Sequence, residues 1–171
     1  MAARILSCTL GLLALVLQSS VLAAGAPDTL KGFERLLGGC WRLGESCQEF
    51  EFGLDGRRVT ARTLMRTEAG TRVISEGAWF HQPGRKVAVG YFVAQGMGVE
   101  LFEYSTRFEG EAMISDVTAR GETGHARTCR EIWTFTDPEH YVWELFESGS
   151  GSVTRVMQGI FARERSPEPG E

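Results

Sequence analysis

From Gly39 onward, short runs of strand-like composition recur to the end of the chain, separated by Gly-containing joints. The joints include Asp55-Gly56, Glu68-Ala69-Gly70, Gln82-Pro83-Gly84, Gly96-Met97-Gly98 and Ser148-Gly149-Ser150-Gly151. Glycine at such joints reaches the positive φ angles that tight hairpin turns demand. The pattern is that of an antiparallel meander, and a meander this long tends to close on itself, which removes its unpaired edges. The expected fold is all-β, an antiparallel meander closing into an 8–10-stranded barrel preceded by a short N-terminal helix.

Strands are expected near 40–44, 47–53, 57–66, 71–80, 86–94, 98–106, 111–118, 125–136, 140–147 and 152–163. In the third, Val59, Ala61, Thr63 and Met65 share one face, opposite Arg58, Thr60, Arg62, Leu64 and Arg66. The sixth sets Glu100, Phe102, Tyr104 and Thr106 against Val99, Leu101, Glu103 and Ser105. The eighth places Cys129, Glu131, Trp133 and Phe135 together. Mixed chemistry on both faces fits a barrel with a partly polar interior, and it also fits a two-sheet sandwich.

The segment before this pattern reads as an address. Arg4 is followed by a largely apolar run, Ile5 through Leu17, and then by Ser19-Ser20-Val21-Leu22-Ala23. The run is short of the roughly 20 residues a membrane span needs. Its small-residue exit suggests a signal peptide over 1–23, cleaved after Ala23. The remainder, 24–163, reads as one domain with a flexible polar tail at 164–171. Losing Arg4 takes the formal charge from −4 to −5. That acidic balance, with no long basic block, argues against a general nucleic-acid surface, and no integral membrane span is expected after cleavage. The chain has 16 arginines, 2 lysines and no asparagine. It therefore lacks an Asn-linked glycosylation acceptor, and the bias hints at a GC-rich bacterial source and a periplasmic or secreted destination. A homodimer is allowed but not indicated.

Three cysteines follow the cleavage point, Cys40, Cys47 and Cys129. An oxidising compartment favours one disulfide among them, with any of the pairings open, and buried thiols as the competing explanation. Ahead of the strands, Pro27-Asp28 can start a helix with Asp28 as N-cap. Leu30, Phe33, Leu36 and Leu37 make its apolar face, and Gly38-Gly39 stops it. A helix this short must bury that face against something, and the end of a barrel is the obvious receiver.

Gly39-Cys40-Trp41, where helix meets first strand, resembles the calycin barrels. It is closest to a lipocalin-like family that begins with a short helix, a Gly-x-Trp strand and a meandering barrel, the uncharacterised DUF1579 family. The resemblance implies that Trp41 packs across the closed end of the barrel beneath an arginine of the last strand, either Arg155 or Arg163. Heme-binding barrels of similar outline use a histidine near the C-terminus, and none follows His140 here. No cofactor is expected.

A barrel of this size can hold a hydrophobic or amphipathic small molecule. Tyr91, Tyr104, Trp133 and Trp143 are the lining candidates, because an aromatic body with a polar tip can orient a ligand. Arg62, Arg130 and Arg155 could turn inward to meet an anionic head group, or outward to pair with glutamates; Glu103, Glu131 and Glu144 carry the same ambiguity. His81, His125 and His140 lack metal-ligand spacing, and no metal site is expected. No Gly-x-Ser-x-Gly elbow is present, and Cys129 and His125 would stand about 13 Å apart along one strand, too far for base activation. The reading is an exported small-molecule binding protein. The alternatives are a small-substrate barrel enzyme or isomerase, with no catalytic residue assigned, and a packed barrel acting as an interaction module.

Overall fold

The computed structural model describes residues 27–96, 98–148 and 153–165. The expected signal peptide at 1–23 and tail residues 166–171 lie outside them. Ten antiparallel strands run in chain order: β1 (Cys40–Leu43), β2 (Ser46–Gly53), β3 (Arg58–Thr67), β4 (Gly70–His81), β5 (Ala88–Ala94), β6 (Leu101–Glu109), β7 (Ala112–Arg120), β8 (Ala126–Asp137), β9 (His140–Ser148) and β10 (Val153–Glu164). Each pairs with its neighbours in sequence, and β1 also pairs with β10, so the sheet is a closed barrel and not a sandwich. Glu164, expected to open the tail, is instead the last residue of β10 and pairs with Cys40.

The period of two along a strand sorts residues into inner and outer faces. Trp41 stands opposite both Gln48 and Arg163, Phe50 opposite Ala61, Val59 opposite Trp79, and Trp133 opposite both Met113 and Trp143. These partners share the inner face. Register shifts at Thr63/Leu64, Arg155/Met157 and Phe135/Asp137 re-aim the strands locally.

The outer face is laced by ion pairs, including Arg62–Glu49 (3.0 Å), Arg130–Asp116 (2.7 Å) and Arg120–Glu103 (3.1 Å). A lipid-facing barrel would show the reverse, an apolar band outside. Among the described residues no helix is long and apolar enough to cross a membrane.

The helix differs in detail from expectation. Pro27 is its N-cap, and the Pro27 carbonyl accepts from the N–H groups of Leu30 and Lys31. With the turn already opened by Pro27, Asp28 lies inside the first turn and pairs with Lys31 (2.9 Å). The α-helix α1 spans only Asp28–Lys31 and tightens into a 3-10 turn over Gly32–Leu36. Leu30, Phe33 and Leu36 are spaced by three, the repeat that stacks side chains on a 3-10 turn, and all three are fully buried.

This segment plugs one end of the barrel. Phe33 meets Trp79 (4.8 Å between ring centroids) and Phe108 (5.0 Å). Phe108 lies so close to the helix backbone that a Cβ at Gly32 would stand 2.3 Å from its ring. Trp41 donates its indole N–H to the Leu36 carbonyl (2.8 Å). The Arg163 guanidinium lies 4.5 Å from the Trp41 ring centroid and donates to the carbonyls of Leu37 (2.8 Å) and Arg35. Arg163 and not Arg155 therefore covers Trp41.

Candidate ligand-binding lumen

The inner face changes character along the barrel axis. Toward the helix, Trp41, Val59, Trp79, Ala88, Met113, Trp133, Phe135, Tyr141 and Phe161 are 0–8% exposed. Their rings pack in direct succession: Trp133 on Tyr141 (4.9 Å), Tyr141 on Trp41 (4.9 Å) and on Phe161 (4.8 Å). This half is a filled core. Toward the other end, Phe102, Tyr104, Cys129, Glu131, Trp143 and Leu145 occupy inner-face positions, yet each keeps part of its surface accessible to water.

Glu131 stands at the junction of the two halves. Its β8 position follows from alternation with Trp133 and Cys129, and its register partners are Ser115 on β7 and Leu145 on β9. Tyr104 donates its hydroxyl toward one carboxylate oxygen (3.4 Å), and Trp133 donates its indole N–H to the other (3.2 Å). The Trp143 side chain lies close enough to lower the pKa of the same carboxyl. Behind it, Trp79 donates to Thr106 (3.0 Å), which shares a hydrogen bond with Ser115 (2.8 Å), so a buried polar band set in aromatic rings backs the acid.

Burial raises the Glu131 carboxyl above its ordinary value, partly opposed by the Trp133, Trp143 and Tyr104 side chains. Burial also pushes the Tyr104 phenol well above 10, with the Glu131 charge adding to the shift. At neutral pH Tyr104 is therefore a hydrogen-bond donor that holds its proton, which suits binding better than acid catalysis. The Cys129 thiol is raised to about 11 by burial, then by Glu131 and Glu147, and so keeps its proton at neutral pH.

Of the aromatic candidates, Tyr104, Trp133 and Trp143 converge on this one carboxylate. Tyr91 does not. It lies on the outer face, half exposed, because Gly90 and Phe92 flank it on the inner one. Gly90 faces inward for a reason: the Trp79 indole comes within 2.6 Å of where its Cβ would be. The strand arginines are outside too. Arg62 pairs with Glu49, Arg130 with Asp116 and Arg155 with Glu144 (2.6 Å), where guanidinium groups keep their hydration. Glu103 and Glu144 share that outer face, which leaves Glu131 as the inward member of the three glutamates. Its sequence signal was its place in alternation with Trp133.

Cys40 and Cys47 form a disulfide across β1 and β2, and Cys129 is free. His81 contacts Thr29 of α1 (2.9 Å) and His140 contacts Asp137 (3.0 Å), both away from the lumen acid. Among the described residues no three His, Cys, Asp or Glu side chains form a metal-binding group. Compared with protein-family models and with curated proteins, the chain matches none.

Proposed function

We propose that this chain is an exported binding protein that holds a hydrophobic or amphipathic small molecule in the half of its barrel away from the helix. The observation that carries this reading is the break in packing along the axis: a sealed aromatic core on one side of Glu131, and water-accessible inner-face residues on the other. Apolar walls with a few convergent polar atoms are the ordinary make-up of a small-molecule site. Trp41 beneath Arg163 supports placing the chain with the lipocalin-like barrels and the DUF1579 family. The Cys40–Cys47 disulfide supports an oxidising destination, periplasmic or secreted.

Native mass spectrometry of freshly purified mature protein, repeated after gentle delipidation, tests the proposal. A discrete adduct that delipidation removes and a fluorescent lipid restores is the expected result. An empty protein that also ignores fluorescent lipids would overturn it.

A second reading, an interaction module, draws on the outer face. Phe80, Tyr91 and Val93 are exposed beside a groove of about 670 Å³ across β2–β5, bordered by Arg58, Arg62, Glu49 and Glu51. Changing Phe80 and Tyr91 together to Ser would leave small-molecule adducts intact and abolish only protein association.

A further inference from the structure

We propose that Glu131 anchors a positively charged head group, so that the ligand is an amphipathic amine or quaternary ammonium compound with its apolar part along the open half of the barrel. The inference rests on the lumen reading above and specifies its chemistry.

Three observations support it. First, Glu131 has donors around it but no counter-cation among the described residues. The neighbouring arginines are engaged elsewhere: Arg120 with Glu103, Arg127 with Glu147, Arg130 with Asp116 and Arg155 with Glu144. An enclosed carboxylate held by neutral donors is stabilised less than one in an ion pair, and a ligand cation would supply the missing partner.

Second, the groups around the acid are those that favour a cation. Tyr104 and Trp133 bring their hydrogen-bonding edges to the carboxylate, and the Trp143 ring, with Trp79 5.7 Å from Tyr104, completes an aromatic surround. Aromatic faces attract ammonium groups, most strongly where water is excluded. A carboxylate ligand would meet a like charge in the same space; Arg62, Arg130 and Arg155 face out, and Arg127, two strand steps from Glu131 on the same face of β8, is paired with Glu147.

Third, the acid sits where the filled half ends. Below it, Trp133 and Met113 close the barrel; Leu145 stands opposite it, and Cys129 and Phe102 continue the inner face toward the mouth. A head group resting at Glu131 would leave its tail pointing toward the mouth, along side chains that still carry accessible surface.

Tryptophan fluorescence titration with three ten-carbon probes, each below its micelle concentration, separates the possibilities. Decyltrimethylammonium, decan-1-ol and decanoate share a tail and differ in head-group charge. The wild-type protein should bind the ammonium probe about tenfold or more tighter than the alcohol, with decanoate weakest. Glu131→Gln should bring ammonium and alcohol to within about threefold of each other, and Glu103→Gln on the outer face should change nothing. Equal binding of the charged and neutral probes by wild type overturns the charge assignment and leaves the lumen reading standing. A preference that survives Glu131→Gln, or is lost equally in Glu103→Gln, overturns it as well. No binding of any probe overturns both proposals together. The wild-type order alone decides if Glu131→Gln is poorly folded.

Discussion

At the scale of single residues, Glu131 and Arg163 show how differently two enclosed charges can be used. Arg163 has a ring face below it and two backbone carbonyls in front, with its Nε alone left without a hydrogen bond. Hydrogen bonds from a charged donor contribute about 1.5–3 kcal/mol, so Arg163→Ala should lower stability by about 3 kcal/mol, roughly 10 °C in Tm. Arg155→Ala removes only an outer-face pair and should cost below about 1 kcal/mol. Paired thermal melts check the contrast; equal losses would dissolve the assignment of Arg163 as the closing arginine.

Glu131 is held at a cost to folding. Its folded-state carboxyl binds a proton more tightly than the unfolded chain does. The folded state therefore loses ground as pH rises from the unfolded value near 4.5, and the deficit is complete above the folded value. Glu131→Gln should match wild type in Tm at pH 4 and exceed it at pH 7, with the gap opening between. A fixed offset at every pH would show that its ionisation is not linked to folding.

At the scale of elements, the alternation of β3 was readable where Val59 and Ala61 take turns with Arg58, Thr60 and Arg62, while β6 and β8 carry mixed chemistry on both faces. Strand β5 was not readable. Ala88, Gly90 and Phe92 face inward, and two of those three are small, so nothing in the strand showed that Tyr91, the lining candidate, faces out. Gly90 gives its space to Trp79, a residue on the neighbouring strand, and no pattern within β5 records that debt. The helix was legible as an apolar face but not as a 3-10 turn, since the choice is settled by how Phe33 and Leu36 fit the barrel end. The disulfide was likewise open in sequence until β1 and β2 paired and brought the Cα atoms of Cys40 and Cys47 to 5.5 Å.

That pairing gives a direct expectation. Unreduced, denatured mature protein should titrate one thiol, Cys129, and exchanging Cys40 and Cys47 together for Ala should cost about 2 kcal/mol by the loop-entropy relation. Three thiols in material purified from an oxidising compartment would contradict it.

At the scale of the whole molecule, the barrel was legible because Gly-marked joints between short strands leave few topologies other than a meander, and a long meander closes. Its division into a sealed and an accessible half was not. That division depends on which inward residues from separate strands meet at one height, a property of register between strands. Tyr104, Trp133 and Trp143 could be singled out one by one; that they surround Glu131 could not, because the four come from three strands (β6, β8 and β9).

The same division supplies the most direct measurement. All four tryptophans are inside, with Trp41 sealed beneath Arg163 and Trp143, the register partner of Trp133, still partly accessible. Two variants, each keeping one of these and exchanging the other three for Phe, can be titrated with a neutral bromine-bearing alkyl alcohol, which quenches only indoles it touches. If the half beyond Glu131 is a ligand chamber, the Trp143-only protein loses most of its emission at saturation and the Trp41-only protein loses little. Equal quenching of both, or of neither, would contradict the account.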